Sequence, residues 1–222
     1  LSYNHARNEF LVVWQQQVYS GGGSQSPDVY GRRVKMSGGA GALEAPLAIG
    51  SGVLEKEMRP AVAALPTIGS EGEYLVVFEK DYGSSQQIRG QVLSGTGAPG
   101  HEIIFPYDPN NNPQFRPAVA AAEAANSYLV AWRQDSYAPP LIYNGIVVAA
   151  IREDGALLNT GILLVEENSA LGGTFADNPA VAAGSQGDFI TLFDDQEILA
   201  TSRDIFGRLW GHRLYLPFVL RQ

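Results

Sequence analysis

Four short polar runs stand at matching places along this chain: Gln15-Gln16-Gln17, Glu79-Lys80-Asp81, Arg133-Gln134-Asp135 and Asp194-Asp195-Gln196. Each directly follows an apolar run led by an aromatic residue, so the element that carries the aromatics also delivers these side chains to one place. Asp81, Asp135, Asp194 and Asp195, with Tyr82 and Tyr137 beside them, are expected to line a pocket for a ligand, because carboxylates and aromatic faces suit a sugar or a cation. The competing reading is strand-end chemistry, in which an aspartate bonds to the backbone of its own turn. No residue stands out as catalytic. Acidic side chains are plentiful enough to supply the two carboxyls of a glycoside hydrolase, one acting as acid and one ionised, and that is the enzymatic alternative to a pure binding role.

Other constellations are weaker. His5, His101 and His212 lie in different segments without the close spacing of a zinc enzyme. Asp108-Pro109-Asn110-Asn111-Asn112 offers hard oxygen ligands but lacks the glycine and the closing glutamate of an EF-hand loop. No cofactor is expected, and calcium is the structural cation such oxygens would suit. Gly21-Gly22-Gly23-Ser24 and Gly38-Gly39-Ala40-Gly41 lead into no helix with a lysine, so they read as loops rather than phosphate cradles. The 222 residues carry 15 basic and 23 acidic groups, a net charge of -8, which opposes the phosphate neutralisation that nucleic-acid binding needs. There is no cysteine, which removes disulfides and thiol chemistry, and no apolar run approaches the roughly 20 residues of a membrane-spanning helix.

What positions the polar runs is a repeat. Arg59-Pro60-Ala61-Val62-Ala63, Arg116-Pro117-Ala118-Val119-Ala120 and Asn178-Pro179-Ala180-Val181-Ala182 are three copies of one anchor. Behind them come Tyr74-Leu75-Val76-Val77-Phe78, Tyr128-Leu129-Val130-Ala131-Trp132 and Phe189-Ile190-Thr191-Leu192-Phe193, and Phe10-Leu11-Val12-Val13-Trp14 opens the chain with a fourth copy. A third anchor centres on Gly31, Gly90, Gly145 and Gly207, spaced by 59, 55 and 62 residues.

Each unit reads as strands. The proline anchors are apolar runs with proline at the strand's first position, where no ladder hydrogen bond is lost. The aromatic runs are too continuous for a half-exposed strand, so they are expected to be buried on both faces. The glycine in the third anchor marks a bulge or a close approach of neighbouring groups. Weaker fourth strands are expected over 45–49, 101–105, 161–165 and 214–220. The helix-like spacing in Ala118 to Ala125 yields to its parallel copies and reads as strand plus turn.

Four strands in about 55 residues fit a propeller blade, which hides its faces only by packing on its neighbours. The expected fold is all-β, a β-propeller of four four-stranded blades forming one domain over 1–222, with units about 1–58, 59–115, 116–177 and 178–222. The chain opens just past the place of a first Pro-Ala-Val-Ala, so the first blade is expected to lack its first strand, with upstream sequence removed. That blade is completed by the apolar C-terminal strand or left open. Trp14, Phe78, Trp132 and Phe193 share one repeat position and read as blade-to-blade packing. Trp210 stands outside it, a partner anchor if exposed and a seal if buried.

Together, Pro-Ala-Val-Ala, Tyr/Phe-Leu-Val-Val-Trp and Asp-Ile/Val-Tyr/Phe-Gly-Arg-Arg-Val resemble repeats of secreted bacterial β-propeller-like proteins. The likeness spans nearly the whole chain, and the third unit departs from it at Tyr143-Asn144-Gly145-Ile146. The resemblance implies an extracellular or cell-surface module for binding or adhesion. Its expected partners are a glycan or protein ligand at the loop face, with self-association through the incomplete first blade, and no nucleic acid or membrane span. A structural subunit of a larger assembly is the remaining alternative.

Overall fold

The structure is a computed structural model that describes residues 1–19, 25–37, 40–51, 55–105, 112–136, 143–158, 162–163, 176–195, 204–210 and 216–220. The strands fall into four antiparallel sheets that follow the repeat. Blade 1 holds β1 (Ser2–Asn4), β2 (Glu9–Tyr19), β3 (Gln25–Ser37) and β4 (Ala40–Gly50), and blade 2 holds β5 (Lys56–Leu65), β6 (Glu73–Asp81), β7 (Gln86–Ser94) and β8 (Pro99–Ile104). Blade 3 holds β9 (Gln114–Ala122), β10 (Ser127–Ser136), β11 (Tyr143–Arg152) and β12 (Ile162–Leu163). Blade 4 holds β13 (Asp177–Ala183), β14 (Phe189–Asp195), β15 (Asp204–Trp210) and β16 (Leu216–Leu220).

One expectation about the first blade changes. Ser2–Asn4 supplies a first strand after all, a three-residue stub that pairs only Glu9 to Leu11. The C-terminal run takes its expected place as fourth strand of the last unit, Leu216–Leu220 being the outer strand of blade 4 paired with Ile205 to Leu209, so of the two outcomes for the first blade it is the open one that is found among the described residues. The inner edge of β2 beyond Leu11 is therefore left open among the described residues. The stretch with helix-like spacing forms β9 and then a single 3-10 turn at Glu123–Ala125, as its parallel copies require.

The aromatic runs explain the stacking. Successive strand residues point to opposite faces, and the two faces of each run enter two different cores. Tyr74, Val76 and Phe78 join Leu11, Leu47 and Ile49 of blade 1, whereas Leu75 and Val77 join Tyr128, Val130 and Trp132 of blade 3. Leu129 and Ala131 then turn to Phe189 and Phe193 of blade 4. The first, third and fifth residues of each run thus face the preceding blade, its front, and the second and fourth face the following blade, its back. Trp132 is fully buried and Phe78 and Phe193 nearly so, as their shared repeat position implied, whereas Trp14, on the front of blade 1, is only half-buried and belongs to no blade-to-blade core among the described residues. Trp210 is also buried, donating its Nε1–H to Thr191 Oγ1 at 3.1 Å, so it seals blade 4 against blade 3.

The glycine anchors mark close approach rather than a bulge. Gly31, Gly90 and Gly207 each sit opposite the fourth residue of the aromatic run, namely Val13, Val77 and Leu192, in unbroken register. A Cβ on Gly31 would stand 2.7 Å from Ile49 Cδ1, and one on Gly90 3.2 Å from Phe105 and 3.3 Å from Ile103, because the side chains of strand four and its end fold down over the bare backbone. Blade 3 corrects the alignment: Gly145 opposes Gln134, and the place opposite Ala131 belongs to Val148. Small against large has become large against small, and the local volume is kept.

This reciprocity is testable. Gly90→Val is expected to destabilise the chain by about 1–3 kcal/mol through overpacking. The double change Val77→Ala with Gly90→Val, which copies blade 3, should recover at least half of that loss in urea unfolding; a strictly additive double mutant would refute the volume argument.

Candidate functional site

The proline anchors do not begin their strands. Pro60, Pro117 and Pro179 lie inside β5, β9 and β13, each at a break in register with the neighbouring strand. The residues before them, Arg59, Arg116 and Asn178, have φ of 49°, 53° and 49°. A residue with a Cβ rarely enters this left-handed region, and a following proline favours extended backbone, so each bulge stores strain on the order of 1–3 kcal/mol. The strain recurs at one place in three blades, which means the surroundings hold it there.

What holds it comes from the preceding blade. The Arg59 amide donates to Gln15 Oε1 at 2.9 Å and the Arg116 amide to Glu79 Oε1 at 2.7 Å. Gln15 and Glu79 are the first members of the polar runs, and as sixth residues counted from the leading aromatic they point to the back of their own blade. At the third interface the equivalent residue, Arg133, cannot accept. Instead, Asp177 takes the Asn178 amide at 2.9 Å while Arg133 donates to the same Asp177 oxygen at 3.4 Å. The cap survives with its polarity relocated.

Side chains close the cluster. Arg59 donates to both Glu79 oxygens at 2.8 and 2.9 Å, and Gln86 adds a contact at 2.5 Å, leaving Glu79 with no solvent exposure. Arg116 reaches across to Asp177 and Asn178, both at 2.5 Å, and Asn178 Nδ2 donates to Asp194 at 3.1 Å. Arg59 keeps 54% of its side chain exposed and Arg116 39%, so the guanidiniums are what this end of the inner strands shows to solvent.

A second carboxyl group of residues lies at the same strand ends. Asp28 on β3 and Glu57 on β5 are both buried here and lie near enough to influence each other's charge, with Lys80 Nζ 3.4 Å from Glu57. Burial raises the Asp28 carboxyl above its ordinary range, and its contact with Glu57 offsets only part of that.

The expected pocket residues are placed as follows. Asp81 accepts its own turn's Gly83 amide at 2.7 Å and pairs with Lys56 at 3.5 Å, which is turn chemistry. Tyr82 is partly exposed, with Lys80 and Arg89 each 5.7 Å from its ring centre. Asp135 is buried against Arg133 at 2.9 Å. Asp194 alone joins the cluster around the bulges. Asp195 ends β14 opposite Asp204, and its side chain, like Tyr137 and His212, lies outside the described residues, as does 108–111 of the oxygen-rich run. His5 stands 3.7 Å from Glu123. Among the described residues no group of three or more His, Asp or Glu side chains is arranged to hold a metal ion.

The opposite strand ends carry a different clasp. Glu9, fully buried, accepts from the Tyr74 hydroxyl at 3.1 Å and from Arg7 and Arg33, and Glu73 accepts from the Tyr128 hydroxyl at 3.1 Å. At the third interface both partners are absent together, Ser127 replacing the glutamate and Phe189 the tyrosine. Burial pushes Glu73 up to about 6, the Tyr128 hydrogen bond working against it and Glu153 with it.

No family model matches the chain, and no curated protein matches it either. Solved structures do. The endo-arabinase from Bacteroides thetaiotaomicron VPI-5482 superposes with a TM-score of 0.50 at 12% identity, over all of this chain and 84% of that one. A GH43 endo-arabinanase from Bacillus licheniformis covers 95% of this chain and 72% of its own at a TM-score of 0.48 and 16% identity. The chain has the β-propeller fold. At such identities the likeness extends to the fold alone, and the repeat and the blade stacking agree with it.

Two predictions follow from the clasps. Glu79→Ala is expected to cost about 2–4 kcal/mol in denaturant unfolding, because it uncaps the Arg116 amide in a buried setting, whereas Gln15→Ala at the exposed equivalent should cost under about 1 kcal/mol. For Glu73, a folded value near 6 above an ordinary 4.5 means that the native state binds the proton more tightly. Stability from this group is complete below pH 4.5 and is lost as the pH rises through about 6. Glu73→Gln should therefore gain in thermal midpoint relative to wild type at pH 7 and lose that advantage by pH 4.5; a pH-independent difference would refute the assignment.

Proposed function

We propose that this propeller acts on a glycan at the inner-strand end built by Arg59, Glu79, Arg116, Asp177, Asn178 and Asp194, and that its chemistry is hydrolysis of a glycosidic bond. The observation that carries the reading is the division of the carboxyls there into two environments. Burial raises the Asp28 carboxyl above its ordinary range, whereas Glu79 and Asp177 are ion-paired to arginine. Glycosidic cleavage asks for a carboxyl that gives a proton and another that stays charged, set apart by their surroundings. The propeller likeness to an arabinan-cleaving enzyme supports a glycan as the substrate class, with a pentose polymer as the first to try. Action outside the cell, where such polymers are met, belongs to the same proposal.

A second reading, glycan binding without turnover, is favoured by the exposures. Glu57 and Glu79 are fully buried and Asp28 nearly so, while the arginines face solvent. Guanidinium forks and the Asn178 amide are good donors to sugar hydroxyls.

Incubation with linear arabinan and a panel of chromogenic glycosides, beside a glycan array, separates the two. The hydrolase reading expects product release that falls at least about a hundredfold in Asp177→Asn or Asp194→Asn. Saturable glycan binding that is lost in Arg116→Ala, with no product from any substrate, would leave the binding reading in its place.

A further inference from the structure

Among the described residues two blade faces have no other blade packed closely on them. The front of blade 1 presents Phe10, Val12 and Trp14, the positions that are covered by a preceding blade in blades 2, 3 and 4. There the equivalent residues are almost wholly buried: Tyr74, Val76 and Phe78 at 0, 0 and 3% exposure, and Tyr128, Val130 and Trp132 at 1, 0 and 0%. In blade 1 all three are half-buried. Around them the face is aromatic and open, with Tyr3 4.9 Å from Phe10, Trp14 stacked at 6.3 Å on Tyr30, and Tyr3 and Leu43 exposed at 43 and 66%.

The back of blade 4 is the complementary case. Ile190 and Leu192 occupy the second and fourth positions, which in blades 2 and 3 are sealed by the following blade: Leu75 and Val77 are both at 0%, and Leu129 and Ala131 at 2 and 0%. Here both are half-buried, and Ile205, across the ladder from Asp194 on the same face, is 38% exposed. The fronts and backs that do meet pack blade 1 on 2, 2 on 3 and 3 on 4, and among the described residues no closely packed strand pair joins blade 4 to blade 1.

We propose that these two faces are one heterologous interface between copies of this chain, with the back of blade 4 in one copy seated on the front of blade 1 in the next. The occupant is argued from the established contacts, because the same interface is made three times inside the chain from the same residue positions. A preceding blade brings apolar side chains to the fronts of blades 2, 3 and 4, and blade 4 is the one described blade whose back is free to do so again. The third internal interface shows that no Glu–Tyr clasp is needed: Ser127 and Phe189 manage without it, and Phe10 on the front of blade 1 likewise has no hydroxyl. A head-to-tail contact of this kind propagates or closes into a ring, and does not pair two identical surfaces.

Sedimentation velocity over a wide range of concentration tests this. Wild type should associate, whereas Val12→Arg, which spoils the front, and Leu192→Arg, which spoils the back, should each remain monomeric. An equimolar mixture of the two variants should give a dimer and nothing larger, since one intact front meets one intact back. Leu43→Lys and Ile205→Lys, at sites already open to solvent, serve as a second pair should circular dichroism show either arginine variant unfolded. A wild type that is monomeric throughout, association that survives either substitution, or a mixture that stays monomeric would each overturn the proposal.

Discussion

A four-stranded blade in this chain cannot cover its own surfaces. Its second strand is apolar on both sides, so at about 25 cal/mol per Å² of apolar surface removed from water, a lone sheet leaves most of its possible stabilisation unrealised. Everything else in the structure answers to that need. The alternation along Tyr74 to Phe78 divides one strand between two cores, and the glycines of strand three let the side chains of strand four lie flat enough for the next blade to approach.

On top of this non-directional attraction the interfaces carry directional locks, one set at each end of the strands. The Glu–Tyr clasps and the capped bulges differ in chemistry but behave alike: where one partner changes, the other changes with it. Ser127 comes with Phe189, and Arg133 comes with Asp177. Such pairing is what the low-dielectric setting demands, since a buried carboxylate or hydroxyl left without its partner costs more than the contact gains. The strained residues before proline persist for the same reason, being fixed by an acceptor that the neighbouring blade supplies.

The glycan reading grows from that second set of locks. Bulges in three inner strands bring two arginines, an asparagine and several carboxyls to one end of the stack, on a scaffold rigid enough to hold their geometry. That these groups also secure blade to blade means site and fold share residues, so their roles are separated by solvent exposure: Glu79 faces inward to its clasp and Arg116 outward.

The repeat, the four-strand blades, the two-sided burial of the aromatic runs in blades 2 and 3 and the crowding of polar runs at one end were legible in the residues, because periodicity and alternation are local properties. The polar runs misdirected only in their detail. Asp81, third in its run, turns back on its own loop, while Glu79, first in the same run, meets the next blade. Counting the alternation one step past the aromatic would have singled it out. The bulges at Arg59, Arg116 and Asn178, the nearness of Asp28 to Glu57 and the slipped glycine of blade 3 could not be read, since each depends on what lies alongside. Sequence determined the unit and its pattern through the two-residue period of a strand; only the tertiary structure decided which surfaces meet, because that choice is made by side chains about 55 residues apart competing for one interface.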